Sequence, residues 1–391
     1  MINRYQFFLS FVWTLVLLQF LSACKSDPPS PQSFADLPPA EMDFEEAEYK
    51  WGYMNTNGEV VIAPSFDDAG VFQEGLAPVR IKGRWGFVDK KGGMAISPQF
   101  KAAWTFQGEL AKVLTYEGNL GFINLRGEWV IEAKWKELDD FAQGLAKVLC
   151  EEGSYGYIDQ TGQLSIPCEY SDAYPFHENF AAVKTADNWN WIDQTGKLLI
   201  AGTGFAQTYN FSSGLARFRK EGKYGFMNTS GKVVIQPEFD KALDFDGRRA
   251  AAKWNGKFGL IDTSGQWVIP PTYEELWYAN ENRWIGGNEG LYALLDENGT
   301  ALTPFQYRQL YQLQEGRASF LREELWGILD QNGVEITPPQ FGLGWTFNEG
   351  LARAAFYEGI AYVDRNGQVV IPPKFLDGRD FSEGLAPVQI R

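Results

Sequence analysis

The chain has one histidine, three cysteines and five methionines in 391 residues. A lone imidazole, His177, excludes multi-histidine metal centres and leaves little scope for histidine acid–base catalysis. It sits in "YPFHENFAAV", with no Ser or Cys nucleophile in a recognisable pattern beside it. Positive charge is also short: 35 Lys and Arg stand against 50 Asp and Glu, a formal net charge of −15. Nucleic acid is held by cations that neutralise phosphate, so no nucleic-acid partner is expected. Nor does any segment sustain the 3.6-residue period of a helix.

Apolar residues make up 45% of the chain and aromatics 15%, ample for a packed core. The N-terminus, "MINRYQFFLSFVWTLVLLQFLSACKSD", joins a basic start, an apolar stretch and small residues before a cut. That order predicts a secretory signal over residues 1–23. "LSAC" resembles the lipobox of bacterial lipoproteins, and the resemblance makes Cys24 the acylated first residue, a lipid anchor to a membrane. A lysine, not an aspartate, follows it; by the same resemblance this favours the outer membrane. Residues 24–48 then hold five Pro and seven Asp or Glu, a semi-stiff, self-repelling tether.

Residues 49–391 repeat one phrase ten times. The anchor is a small residue after an aromatic or apolar one: Gly52, Gly86, Gly121, Gly156, Asn190, Gly225, Gly259, Ala293, Gly327 and Ala361. Three residues after each anchor stands Asp or Asn, and six after stands Gly. An Asx side chain that bonds its own backbone, followed by a glycine free to take positive φ, predicts a hairpin turn. Each unit therefore reads as three short antiparallel strands: a "GLA" strand, a "WG" strand and a "VVI" strand. A proline such as Pro64 or Pro237 is expected to end the VVI strand. The remaining "xxFDxAxxFxEG" residues carry the chain onward, with Phe66, Phe72, Phe239 and Phe245 packing between units.

This pattern, "KWGFID…G…VIxPxF…F.EGLA.V", resembles the WG-repeat (KWG-repeat) family of bacterial proteins. The resemblance spans the folded chain and implies little about activity, since such repeats are generally not enzymes. The fold class is all-β, and the ends suggest closure. Lys50–Asn55 is a WG strand without its GLA partner, and Leu385–Ile390 is a GLA strand without its WG partner. Pairing them would close a propeller-like ring, favoured over an open solenoid, and remove two exposed edges.

Trp51, Trp85, Trp189 and Trp326 share one register with Leu120, Tyr155 and Ile360, which marks a packing position. Trp104, Trp135, Trp191, Trp277, Trp284 and Trp345 fall off that register and are better ligand candidates. Among them Trp277, Tyr278, Arg283 and Trp284, where unit 8 drifts from the consensus, form the candidate binding patch. Single alternating Asp and Asn, even with "DFDG" at 244–247, fit turns better than calcium loops, so no metal or other cofactor is expected. Cys150 and Cys168 are placed on next-but-one strands, too far apart for a disulfide. The expectation is a non-enzymatic, envelope-anchored repeat lipoprotein that binds or scaffolds envelope proteins, facing the periplasm or the cell surface. The alternative is a module that binds polysaccharide or peptidoglycan.

Overall fold

The computed structural model describes residues 49–186, 188–202 and 204–390. Residues 1–48, on which the expected signal and tether and Cys24 fall, lie outside them. Within these residues the chain forms ten small antiparallel sheets and no helix. They are arranged as a ring, a ten-bladed β-propeller.

Blade 2 is representative: Asp68–Ala69, Leu76–Ile81, Arg84–Asp89 and Met94–Phe100 pair in sequence order. To the three strands read from the sequence, most blades add a two-residue strand on the GLA side. The VVI strand is the most exposed of the four and forms the outer edge. Blade 1 is built from both ends of the described chain. Lys50–Asn55 pairs with Leu385–Ile390, from Lys50 opposite Ile390 to Asn55 opposite Leu385. The ring therefore closes by the strand pair expected from the sequence.

The repeated letters have local causes. Asn55 Oδ1 accepts from the amides of Asn57 (3.0 Å) and Glu59 (3.0 Å), and the Gly58 amide donates to Asn55 O (2.9 Å). Gly58 takes φ of 78°, and a Cβ there would lie 2.9 Å from Ile371 Cγ2 of the preceding blade. Left-handed backbone and close approach both demand glycine. The anchor glycine has a different task. Opposite Gly225 the VVI strand bulges, with Tyr224 facing Phe239 and Phe226 facing Ile235. A Cβ on Gly225 would lie 2.6 Å from Ile235 O. The proline expected to end this strand sits inside that bulge instead. Pro237 lies within Val233–Phe239, where the irregular pairing dispenses with its missing N–H.

No blade has a core of its own. The buried residues fall into ten clusters, each spanning a blade junction. One joins Trp51, Tyr53, Ile62 and Phe66 of blade 1 to Phe72, Val79 and Val88 of blade 2. Another joins Tyr362 and Phe375 of blade 10 to Phe381 and Val388 of blade 1. Tyrosine on the WG strand adds a polar lock: Tyr53, Tyr157 and Tyr362 are almost fully buried and donate to Gly70 O, Tyr174 O and Arg379 O of the next blade.

Cys150 and Cys168 are disulfide-bonded, contrary to the spacing argument, with Cα atoms 6.2 Å apart. Two local features shorten the span. Cys150 lies just past the GLA strand Leu145–Leu149, in the hairpin turn. Cys168 lies in the bulge over Gly156, where an added Cβ would stand 2.6 Å from its sulfur. The glycine between the two cysteines leaves the bond its path.

Candidate functional site

One face of the ring carries both the Asx turns and the turns that open each GLA strand. In the latter a non-glycine residue takes positive φ just before or at the glycine: Glu74 (55°), Glu178 (50°), Glu315 (55°), Glu349 (52°) and Glu383 (53°) among others. This strained backbone leaves two adjacent amides pointing out of the turn. The glutamate of one blade fills the amides of the next. Glu383 accepts from Glu74 N (2.7 Å) and Gly75 N (3.0 Å), and Glu74 accepts from Gly108 N (2.7 Å) and Glu109 N (2.7 Å). Glu178, Glu281, Glu315 and Glu349 repeat the contact on blades 6, 9, 10 and 1. Gln143 substitutes a neutral acceptor on blade 5. Burial works against charge on Glu383, but Lys90 and the Gly75 and Glu74 amides outweigh it and hold the carboxyl below its usual range.

Nearer the axis, cations of the GLA strands clamp neighbouring blades. Arg353 lies over the Trp345 ring (4.7 Å to its centroid) and bonds Asp380 Oδ1 (2.8 Å) and Gly378 O (2.7 Å) of the next blade. Arg217 lies over Tyr209 and reaches Ala242 O and Asp244 in the same way. Burial raises the Asp244 pKa although Arg217 opposes the shift, so the "DFDG" aspartate belongs to a clamp.

Blade 3 has a lysine at this register. Lys112 reaches Asp140 Oδ1 (2.9 Å) and lies over Trp104 (5.3 Å), and beside it a cleft of about 270 Å³ opens between blades 3 and 4. Trp104, Leu110, Phe122 and Phe141 give it apolar walls, and Gly144 and Gln160 close its turn side. Trp104 is 43% exposed, the most open tryptophan among the described residues. A second cleft, of about 340 Å³, lies between blades 2 and 3 and contains Arg84, Phe100, Tyr116 and Trp129.

The structure places the four patch residues together but turns their apolar surface inward. Trp284 is 2% exposed and meets Tyr278 edge-on at 5.3 Å. Trp277 is half-buried against Tyr292, also at 5.3 Å. Arg283 donates to Gln331 O (2.7 Å) in the next blade. Of the other off-register tryptophans, Trp191 is fully buried, Trp135 and Trp345 are half-buried, and Trp104 is open. The in-register Trp51, Trp189 and Trp326 are buried, as a packing position requires. Sequence reasoning passed over Trp129, exposed on an outer strand. Its signal was its register, that of the first valine of "VVI". His177 meets Phe211 O through Nδ1 (2.6 Å). No group of three or more His, Cys, Asp or Glu among the described residues is placed to hold a metal.

Ten Asx-turned blades, seven of them with glycine at the anchor, joined by interlocking cores define a repeat propeller. The family described as WG containing repeat matches residues 51–85, 85–116, 121–152, 155–189, 191–224, 224–258, 258–284, 326–356 and 360–391, and the chain belongs to it. No curated protein matches the chain. Similar solved structures include a eukaryotic initiation factor at 12% identity, covering 74% of this chain and 95% of that one with a TM-score of 0.48. BamB from Moraxella catarrhalis is similar at 14% identity, 88% and 97% coverage and a TM-score of 0.32. The computationally designed Ika8 protein is similar at 14% identity, 76% and 93% coverage and a TM-score of 0.37.

Proposed function

We propose that this protein is a non-enzymatic scaffold of the bacterial cell envelope, lipid-anchored through Cys24, whose ring docks other envelope proteins. The observation that carries this reading is the recurrence of exposed apolar residues at the first or second position of the VVI triplet on the outer strands. Val61, Val130, Leu164, Leu198, Val234 and Val369, one from each of six blades, are all more than a third exposed. Side chains of this kind, presented on a rigid frame, favour a macromolecular partner over a small substrate. The anchor and outer-membrane placement rest on the lipobox resemblance alone.

Trp104 and Trp129, each exposed beside a cleft, favour a second reading, a polysaccharide- or peptidoglycan-binding module. One experiment separates the two. The chain is tagged at its C-terminus, intact cells are cross-linked, the envelope is solubilised and the captured material is quantified. A stoichiometric protein partner is the expected result. Capture of sacculi or polysaccharide without a protein would overturn the scaffold reading in favour of the second.

A further inference from the structure

The glutamate belt is broken beside the Trp104 cleft. At the register of Glu74, Glu349 and Glu383 blade 3 has Gly108, which shares their positive φ, at 60°, but has no side chain; Glu109 falls one residue later, at the register of Gly75. Blade 3 therefore sends no glutamate from this register to blade 4. The amides that a glutamate at position 108 would fill, those of Gln143 and Gly144, have no acceptor among the described residues. The flanking Ala142–Leu145 pair is formed as in the filled turns, so the amide pair is built. The vacancy follows from Gly108, and the next Asx turn differs as well. Lys90 and Arg365 there hold Glu383 (3.0 Å) and Glu315 (2.8 Å), whereas blade 4 has the neutral Gln160. Blade 7 also has an unfilled turn, because Ser213 replaces the glutamate, but Gly247 and Arg248 line neither cleft. Gly144 lines the first.

We propose that the cleft between blades 3 and 4 receives a glutamate from a peptide segment of a partner protein, its carboxylate bound by the amides of Gln143 and Gly144. The proposal rests on the protein-docking reading and gives it a site. The ring itself names the occupant: at six junctions the same turn holds a glutamate side chain. Two adjacent amides match the two oxygens of a carboxylate, and charged hydrogen bonds of this type are the stronger ones. Lys112 at the cleft is ion-paired with Asp140, so the carboxylate is recognised by the two amides and not by a free cation. The Trp104, Leu110 and Phe141 walls take an apolar neighbour of that glutamate. A neutral saccharide could use the aromatic wall but has no carboxylate for the amides.

The test uses the full-length chain in detergent micelles and a fluorescein-labelled peptide copying Thr346–Leu351, one of the ring's own glutamate turns. Fluorescence anisotropy should show saturable binding, weakened about tenfold or more when the peptide carries Glu349→Gln. Binding should vanish in Trp104→Ala and weaken about tenfold or more in Gly108→Glu, which supplies the belt glutamate that this junction lacks. It should be unchanged in Tyr357→Ala, a substitution at an 82% exposed residue of a distant turn. Circular dichroism verifies that each variant is folded. Absence of binding, equal binding of the Glu and Gln peptides, or full binding by Trp104→Ala would each overturn the proposal. In cross-linked cells, a protein captured equally by Trp104→Ala also overturns the site but leaves the docking reading intact. Failure of the unaltered chain to capture any protein overturns the docking reading itself.

Discussion

At the scale of residues, two kinds of glycine do different work and should respond differently to substitution. Gly222 has φ of 83° and open space where a Cβ would point. Gly222→Ala therefore carries only the left-handed backbone cost, about 1 kcal/mol. Gly225 faces the Ile235 carbonyl and the Pro237 nitrogen, neither of which can move without opening the bulge. Gly225→Ala should cost about 3 kcal/mol or more. Thermal melts of the two variants measure the contrast, and equal shifts would contradict this account of the bulge. Blade 5 supplies a natural exchange. Asn190 replaces the anchor glycine, and Gly202 lies opposite, where a Cβ would run into the Trp189 carbonyl; the Gly202 amide meets Asn190 Oδ1 at 3.3 Å. The glycine requirement has crossed to the partner strand. The belt glutamates add a pH dependence. Glu315 and Glu383 have folded pKa values below their ordinary ones. Their contribution is thus present above the unfolded pKa, about 4.3, and is lost as pH falls through the folded value. Glu315→Gln should lower the melting temperature at pH 7, and its difference from the unaltered chain should shrink steadily below about pH 4.

At the scale of elements, the disulfide ties the hairpin turn after Leu149 to the VVI strand of blade 4, bridging 18 residues. Closing a loop of that size in the unfolded chain is worth about 3 kcal/mol in the chain-entropy account. Reduction, or Cys150→Ser with Cys168→Ser, should lower the melting temperature while leaving far-ultraviolet circular dichroism unchanged at 25 °C. No change on reduction would mean that the bond does not form in solution. The element level is also where sequence and structure part most clearly. The hairpins were legible because Asx and Gly recur at fixed offsets and each has a backbone cause. The bulge was not. It is specified by a glycine on one strand and a carbonyl on another, and a linear reading sees only the proline and places a strand end there. The same hidden crossing over Gly156 made a disulfide look too long. For the candidate site, register sorted the buried WG-position tryptophans correctly and left Trp104 as one of six off-register candidates, outside the patch chosen. It could not show that unit 8 folds Trp284 inward, because drift from a consensus does not indicate which way a ring points. The amides of Gln143 and Gly144 carry no side-chain signal at all.

At the scale of the molecule, closure was legible because each end of the repeat array is half of one hairpin. That observation has a quantitative corollary. Ile81 and Arg84 of blade 2 pair across a turn of two residues, Lys82 and Gly83, and the blade 1 pair Ile390 and Lys50 occupies the same register without a covalent turn. If the blades are equivalent, a two-residue linker should connect Ile390 to Lys50 without strain. The chain can then be reopened at the matching turn of blade 6, between Glu221 and Gly222, where Lys220 pairs with Lys223. The closing strand pair is thereby moved five blades around while every inter-blade core is kept. The permutant should be monomeric, with the same radius of gyration as residues 49–390 and a melting temperature within a few degrees of theirs. A permutant that opens or aggregates would show that blade 1 holds the ring by something its strand pairing does not contain. The candidates would then be the contacts that reach blade 2, where Arg379 bonds Asp68 (2.7 Å) and Ala69 O (2.6 Å) and Ser382 bonds Phe72 O (2.6 Å). Because those contacts also survive permutation, Arg379→Ala in the unpermuted chain would then be the substitution that separates strand pairing from clamp.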